Sequence, residues 1–146
     1  MTAVATFPSI VAGIGCRKGT PSSAILAVLD EALEQAGLSG LRPALLATGG
    51  IKAHEAGLIA AAETLAIPMV VIGREALEAV ASRTLTVSDI SLAHSGTPSL
   101  CEAAALAAAG EPARLVAPRF ARNGVTCAIA IVRGDHDQWM EAPWIR

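Results

Sequence analysis

The sequence is poor in aromatic residues: among its 146 residues there is no tyrosine, and there are only two phenylalanines and two tryptophans. Proteins that bind single-stranded nucleic acid stack the bases on aromatic side chains, so this class is disfavoured. Only 16% of the residues are charged and the formal net charge is −2, whereas nucleic-acid-binding domains carry an excess of positive charge. We therefore expect no nucleic-acid partner.

Cysteine is also scarce, and its three positions argue against a disulfide framework. Cys16, Cys101 and Cys127 are odd in number and far apart along the chain. Reduced thiols are typical of the cytoplasm, which is the expected location. The sequence has no Cys-x-x-Cys and no pair of histidines at helical spacing, so we expect neither a bound metal nor a cofactor.

Long apolar runs and targeting signals are missing as well. No apolar run approaches the roughly 18 residues that suggest a membrane span. The first five residues carry no basic side chain, so no secretory signal is expected. Because 53% of the residues are nevertheless hydrophobic, the composition predicts a compact globular protein that has no membrane partner.

Strand and helix patterns alternate along the chain. Apolar runs and amphipathic stretches predict strands at 9–15, 43–47 and 68–72 and helices at 21–36, 52–65 and 74–80. A further helix is predicted at 98–109, and two final strands, at 114–117 and 125–132, are joined through the turn Asn123-Gly124. The predicted fold class is α/β: a three-layer α/β/α single domain with a mixed, mainly parallel sheet and a C-terminal β-hairpin.

The domain is assigned to residues 1–134, and residues 135–146 form a C-terminal tail. The tail holds both tryptophans, and nothing in it demands a fold of its own. We expect it to be exposed or to pack against a partner subunit, an arrangement that would suit a homodimer.

The tetrapeptide Gly-Thr-Pro-Ser occurs twice, at 19–22 and 96–99, and each copy opens a predicted helix. Thr20 and Thr97 suit the N-cap, and the prolines suit the first helical position, where a missing N–H costs nothing. A third turn, Thr-Gly-Gly-Ile-Lys at 48–52, lies between the two copies. Because helix starts leave N–H groups unpaired, three of them at one sheet edge would form a receptor for carboxylate or phosphate.

Cations in these turns strengthen this interpretation. Ligands of open α/β sheets bind beyond the carboxyl ends of the strands, and Arg17, Lys18 and Lys52 are expected there. Arg119 and Arg122 flank the turn of the final hairpin and could reach the same ligand. The alternative is ordinary turn chemistry, because short turns need glycine and turn arginines are usually solvated. The candidate ligand-binding residues are Gly15, Cys16, Arg17, Lys18, Gly19, Thr20, Ser22, Gly49, Gly50, Lys52, Ser95, Gly96, Thr97, Ser99 and Arg119.

Three titratable side chains near the second predicted helix are candidates for catalysis. Lys52, His54 and Glu55 bring an amine, an imidazole and a carboxylate to one helix start, where they could act as acid and base beside a carbonyl or lactone. The alternative is a solvated first turn in which Glu55 compensates the helix dipole. Cys16 likewise has two interpretations: a thiol whose pKa nearby cations lower, or a small residue that fills a tight turn, which we favour.

Four longer motifs follow one another along the chain. They are Gly-Ile-Gly-Cys-Arg-Lys-Gly at 13–19, Ile-Lys-Ala-His-Glu at 51–55, Pro-Ser-Leu-Cys-Glu-Ala-Ala-Ala-Leu at 98–106 and Val-Thr-Cys-Ala-Ile-Ala at 125–130. Together they closely resemble the CobE proteins of cobalamin biosynthesis and the C-terminal domain of the CbiG proteins. The resemblance extends over about residues 10–132, nearly the whole chain.

The resemblance implies a role in assembling the corrin ring. CbiG-type proteins open a ring-A lactone on a cobalt-precorrin and carry an additional N-terminal domain. Because only some nine residues precede the first predicted strand, this chain resembles the stand-alone CobE form. Precorrins are macrocycles ringed with acetate and propionate groups, so the resemblance implies a ligand whose carboxylates would suit the predicted cationic turns.

Three functional hypotheses follow. The first is a protein that binds a precorrin or corrinoid intermediate, as a carrier or as an accessory to a ring-modifying step, and that meets neighbouring cobalamin-pathway enzymes. The second is an enzyme that acts on the ring-A lactone or acyl group, with Lys52, His54 and Glu55 as candidates. The third is a small-anion or nucleotide-binding module, although the glycine spacing at 13–19 is one residue too long for a dinucleotide fingerprint.

Overall fold

The computed structural model describes residues 9–50, 55–85, 99–110 and 113–132. Six strands are present in these ranges: β1 (Ser9–Cys16), β2 (Leu45–Gly49), β3 (Met69–Ile72), β4 (Arg114–Leu115), β5 (Phe120–Arg122) and β6 (Val125–Val132). The helices are α1 (Ser22–Gln35), α2 (Ala56–Leu65), α3 (Arg74–Ala79) and α4 (Leu100–Ala109), with a short 3₁₀ helix at Ala81–Arg83. The predicted alternation of strands and helices is therefore confirmed.

All six strands form one mixed sheet in the order β3-β2-β1-β6-β4, and β5 also pairs with β6. The pairings of β1 with β2 and of β2 with β3 are parallel. Strand β6 runs antiparallel to β1 along its whole length, and β4 and β5 run antiparallel to β6. The predicted α/β fold with a mixed sheet and C-terminal hairpin is confirmed, but the described strands are not mainly parallel, because β6 pairs antiparallel with β1 as well as with β4 and β5.

Helices cover the sheet on both faces, and the alternation of side chains along β1 shows how. Ile10, Ala12 and Ile14 point into a core shared with α1 and α2, whereas Val11 belongs to a second core formed with α4. Gly13 also lies on the α4 side, where a Cβ would collide with the carbonyl oxygen of Cys101. The helix can therefore lie directly against the strand only because this position is glycine.

The hairpin turn agrees with its sequence signature. Asn123 and Gly124 both have positive φ, at 56° and 79°, which is the geometry that an Asn-Gly hairpin turn requires. The residues just before the turn, which were predicted to be a connection, form the short strand β5 instead. Pairing with the long strand β6 explains this difference, because β6 supplies backbone partners that the local sequence does not reveal.

The predicted helix starts need correction. Helix α1 begins at Ser22 with Pro21 at its N-cap, one residue later than expected, and no side-chain hydrogen bond caps it. Thr20 does not cap the helix because its hydroxyl donates to the carbonyl of Arg17 at 2.6 Å. Helix α4 begins at Leu100 after an N-cap at Ser99, so its predicted start at residue 98 was too early.

The second glycine turn also differs from the prediction. Strand β2 extends through Gly49, two residues beyond the expected end, so Thr48 and Gly49 are buried strand residues. The hydroxyl of Thr48 donates to the carbonyl of Ile14 at 2.9 Å and ties β2 to β1. Helix α2 is described from Ala56, and Lys52 and His54 lie outside the described residues.

Candidate functional site

The turn after β1 presents two cations and a glycine to solvent. Cys16 ends the strand and is buried, whereas Arg17, Lys18 and Gly19 are exposed. The N–H of Thr20 donates to the carbonyl of Arg17 at 3.2 Å, and this bond closes the turn. Gly19 has φ of +82° with open space around its Cα, so its backbone is reachable from outside.

Glu55 binds this turn from the start of α2. The N–H of Gly19 donates to Glu55 Oε2 at 2.7 Å, a short distance typical of a charge-assisted bond. Gly57 packs against the same turn so closely that a Cβ would collide with the carbonyl oxygen of Thr20. Glu55 occupies the N-cap of α2 without capping it, because its carboxylate is committed to Gly19. The turn therefore already holds a carboxylate, one from the chain itself.

The end of β2 and the start of α4 meet at the same edge of the sheet. A Cβ at Gly49 would lie 2.6 Å from Leu100 Cδ1, so this glycine accommodates the first residue of α4. Gly50, by contrast, is exposed and has nothing within 4 Å of a Cβ position. A ligand was expected to approach the backbone at both glycines. Only Gly50 leaves room for it, because Leu100 fills the space at Gly49.

A similar distinction applies to Gly15 and Ser99. A Cβ at Gly15 would lie 2.7 Å from Thr126 Oγ1, and that hydroxyl donates to the Gly15 carbonyl at 3.4 Å. Ser99 is fully buried, with its Oγ 3.8 Å from Cys101 Sγ. Both residues lie at the predicted edge of the sheet, but contacts within the protein explain why these positions are glycine and serine. Ser22, the first residue of α1, is half-buried.

Arg119 lies apart from these turns. It directly precedes β5, whose Phe120 pairs with Cys127, which in turn pairs with Ile14 of β1. Arg119 is therefore at the far edge of the sheet, below the level of the β1 turn, and does not flank the hairpin turn as predicted. Arg122 does flank it, but its guanidinium is paired with Glu31 at 3.3 Å.

A buried carboxylate that the sequence analysis did not assign lies behind Arg119. Glu102 of α4 is fully buried, and its two oxygens accept the N–H of Leu85 at 2.7 Å and of Arg119 at 2.8 Å. Its signal in the sequence was a single charge in the otherwise apolar segment Leu-Cys-Glu-Ala-Ala-Ala-Leu. A buried carboxylate is stable only when hydrogen bonds satisfy it, so a single acidic residue in an apolar helix indicates a structural anchor.

All three cysteines are buried, and none of them forms a disulfide bond within the described residues; the burial of Cys101 and Cys127 was expected from their places in a helix and a strand. Burial raises the pKa of the Cys101 thiol, an effect that hydrogen bonds with Thr126 and Ser99 partly offset. Burial also raises the pKa of Cys127 well above its ordinary value. Both thiols are therefore neutral at physiological pH, and neither is an activated nucleophile.

Part of the predicted site lies outside the described residues. This applies to Lys52, His54, Ser95, Gly96 and Thr97, and to the tail at 135–146. Among the described ranges, no group of three or more His, Cys, Asp or Glu residues is arranged to hold a metal ion. The same ranges contain no helix that is both long and apolar enough to cross a membrane.

Comparison with protein families gives a specific match over most of the chain. The family described as Cobalamin synthesis G C-terminus matches residues 10–130. Protein CobE of Sinorhizobium sp is 34% identical over 121 residues, which represent 83% of this chain and 79% of that protein. The residues matched by the family include both candidate turns and the buried Glu102.

Solved structures agree with this match. The crystal structure of CobE, a protein from the cobalamin (vitamin B12) biosynthetic pathway, has a TM-score of 0.83 at 30% identity, over 88% of this chain and 94% of that one. Cobalamin biosynthesis protein chiG from Agrobacterium tumefaciens str. C58 has a TM-score of 0.68 at 52% identity, over 84% and 98%. A cobalamin biosynthesis protein G homolog from Sulfolobus solfataricus shares the fold, with a TM-score of 0.61 at 19% identity, over 86% and 37%.

Proposed function

Because this chain belongs to the CobE and CbiG C-terminal family of cobalamin biosynthesis proteins, we propose that it binds a precorrin or corrinoid intermediate. The ligand would lie at the carboxyl edge of β1 and β2. There it would be held and handed on, or presented to a ring-modifying enzyme of the pathway.

The observation that carries this proposal is the turn at residues 17–20. Its Gly19 N–H donates to a carboxylate at 2.7 Å, and the exposed Arg17 and Lys18 precede it directly. A macrocycle ringed with carboxylates would find here two exposed cations, held in place by the bond of the Gly19 N–H to Glu55. Such charge-assisted bonds fix orientation as well as affinity.

The neighbouring turn supports the same location. Gly50 follows β2 directly and leaves open space for the approach of a flat ligand. Strands β1 and β2 are parallel and adjacent, so both turns emerge side by side at one edge. Lys52 follows Gly50 by two residues in the sequence, and we include it as a third carboxylate partner.

The contacts of Glu55 favour binding over chemistry at this edge. An acid–base catalyst must reach a reacting atom of the substrate. The carboxylate of Glu55 instead holds the N–H of Gly19, which makes it a positioning residue for the cationic turn. The neutral Cys101 and Cys127 thiols are buried and equally unsuited to attack a lactone.

The test is a titration of the purified protein with hydrogenobyrinic acid and with precorrin intermediates, followed by absorbance, with the released ligand then weighed by mass spectrometry. We expect saturable binding and a ligand that returns with unchanged mass. A changed mass would replace the carrier role by an enzymatic one. Absence of binding to any of these ligands, with binding of inorganic phosphate or a nucleotide instead, would refute the proposal.

A further inference from the structure

The side chain of Arg17 lies against the hairpin turn that joins β5 to β6. Cys16 and Val125 are the last paired residues of β1 and β6. In the next position, the N–H of Arg17 donates to the carbonyl of Gly124 at 3.3 Å. A Cβ at Gly124 would lie 3.1 Å from Arg17 Cδ, 3.2 Å from its Nε and 3.5 Å from its Cγ. The stem of the arginine therefore occupies the space that a side chain at Gly124 would need.

Gly124 satisfies two separate requirements of this turn. Its φ is +79°, in the left-handed region that favours glycine. Its missing side chain also leaves the space in which the stem of Arg17 lies. Asparagine tolerates positive φ better than most residues but carries a Cβ, so a Gly124→Asn variant separates the two requirements.

The two arginines at this hairpin differ in what their guanidinium groups contact. The guanidinium of Arg122 is paired with Glu31 at 3.3 Å and lies over the ring of Phe120. Arg17 is exposed, and in the described part of the chain its guanidinium makes neither a hydrogen bond nor an ion pair. The turn thus holds the stem of Arg17 and leaves its charged end available. Because a held side chain loses less conformational entropy on binding, this guanidinium is prepared to pair with a carboxylate.

We propose that Gly124 is a positioning residue of the candidate ligand site: by leaving room for the stem of Arg17, it holds the guanidinium ready for one carboxylate of the ligand. This inference rests on the function proposed above, since it concerns the same cationic turn. Gly124 is not among the residues that the sequence assigned to the site. It acts through Arg17 and does not itself bind the ligand.

The positioning of Arg17 is tested first in the ligand-free protein. The order parameter of the Arg17 Nε–Hε bond, measured by NMR relaxation, should be higher than that of the exposed Arg114 on β4. Gly124→Ala should lower the Arg17 value to that of Arg114, because the added Cβ displaces the stem. An Arg17 value that equals the Arg114 value in wild type, or that Gly124→Ala leaves unchanged, would overturn the proposal.

A double-mutant cycle with hydrogenobyrinic acid then tests whether Gly124 acts through Arg17. Arg17→Gln alone should weaken binding by about fivefold, the upper end for an exposed ion pair, and Gly124→Ala alone by about threefold. In the Arg17→Gln background, Gly124→Ala should change the affinity by less than about twofold. A merely structural role of the glycine would weaken binding equally in both backgrounds, and that result would contradict the proposal.

Two further variants separate positioning from backbone strain. Gly40 has φ of +85° with nothing within 4 Å of a Cβ position, and it lies before β2 at the opposite edge of the sheet. Gly40→Ala should therefore lower the denaturation midpoint as Gly124→Ala does, but leave the Arg17 signal and the affinity unchanged. Gly124→Asn should stay closer to wild type in stability and still reduce the order of Arg17.

The failure of this inference can be told apart from the failure of the proposed function. If hydrogenobyrinic acid binds wild type but the cycle shows no coupling between Gly124 and Arg17, only the positioning role is refuted. If hydrogenobyrinic acid does not bind wild type, the proposed function fails, and the order of Arg17 in the ligand-free protein still decides whether Gly124 positions this side chain. We expect binding, coupling and an ordered Arg17.

Discussion

The two faces of the sheet are packed with side chains of very different size. On one face, α1 and α2 cover the strands with large buried residues such as Ile25, Leu29 and Leu58. On the other face, α4 contributes the fully buried alanines at 103, 104 and 105, which meet Gly13 and other small residues of the strands. One face is filled by side chains, whereas on the other the helix backbone itself approaches the sheet.

This difference explains how the site edge is positioned. Because α4 lies so close to β1 and β2, its first residue, Leu100, packs directly against Gly49 at the end of β2. The opposite face holds the turn at 17–20 through the start of α2 and the carboxylate of Glu55. We therefore expect that adding atoms on the small-residue face lowers the free energy of unfolding most, and that on the large-residue face removing atoms does so.

The largest expected effect is from an addition on the α4 face. Gly13→Val would force its side chain into the backbone of α4 at Cys101 and Ala105, and we expect a loss of about 3 kcal/mol or more in the free energy of unfolding. Urea denaturation measures it. Gly50→Ala, which adds a methyl group into open space, is the matched control and should change stability by less than about 0.5 kcal/mol. A mild effect at Gly13 would mean that α4 is free to move away.

Removal of atoms tests the other face. Leu29→Ala takes a fully buried side chain from α1 and leaves a cavity, so we expect a loss of about 3 kcal/mol. Ala104→Gly on α4 removes a single methyl group and should cost about 1 kcal/mol, mainly through helix propensity. Equal losses in the two variants, measured by the same denaturation assay, would contradict the contrast between the faces.

The next largest loss of stability is expected from a change of Glu102, the buried carboxylate of α4. Glu102→Gln replaces one acceptor oxygen by an amide N–H₂ group, which must face the N–H of Leu85 or of Arg119. We expect a loss of about 2 kcal/mol because a buried donor is left without an acceptor. Glu78→Gln, which only weakens an exposed ion pair with Arg74, should change the denaturation midpoint very little. If both variants unfold at the same midpoint, Glu102 is not an anchor.

The smallest effect expected is a loss of stability at alkaline pH. Burial raises the pKa of Cys101 and, more strongly, of Cys127 in the folded state, so the unfolded chain ionises first as pH rises above about 8.5. Stability from these thiols is fully present at pH 7 and declines by at most about 1.4 kcal/mol per pH unit for each thiol. Cys127→Ala should remove more of this decline, measured by urea denaturation at pH 7 and 9.5, than Cys101→Ala. If the variant that carries both Cys101→Ala and Cys127→Ala shows the same decline as wild type, other groups cause the decline and the prediction is wrong.

Much of the fold could be predicted from the sequence because its signals are local. The apolar runs of β1, β3 and β6 and the Asn123-Gly124 turn depend on neighbouring residues, and the structure confirms them. Thr20 was wrongly predicted as an N-cap because the pattern Thr-Pro-Ser does not show that the hydroxyl prefers the carbonyl of Arg17. A choice between two local partners depends on turn geometry, which composition does not encode.

The contacts that organise the candidate site are long-range, and this is why the sequence did not reveal them. Glu55 and Gly19 are 36 residues apart, and Glu102 lies 17 residues from each of its partners Leu85 and Arg119. From the sequence, Glu55 was interpreted either as an acid–base candidate or as a dipole partner of its own helix, and Glu102 was not assigned to the site. The cationic turn could be predicted from Arg17 and Lys18 alone, but the carboxylate that holds it could not.

The measurement that tests the central proposal most directly compares the affinity for hydrogenobyrinic acid of wild type and the double variant Arg17→Gln/Lys18→Gln. We predict that the double variant binds at least about tenfold more weakly, and that its affinity depends less on salt concentration. Arg114→Gln, which removes one exposed cation from a distant strand, should bind like wild type. Equal affinity and equal salt dependence of the double variant and wild type would contradict the assignment of the turn at 17–20 as the ligand site.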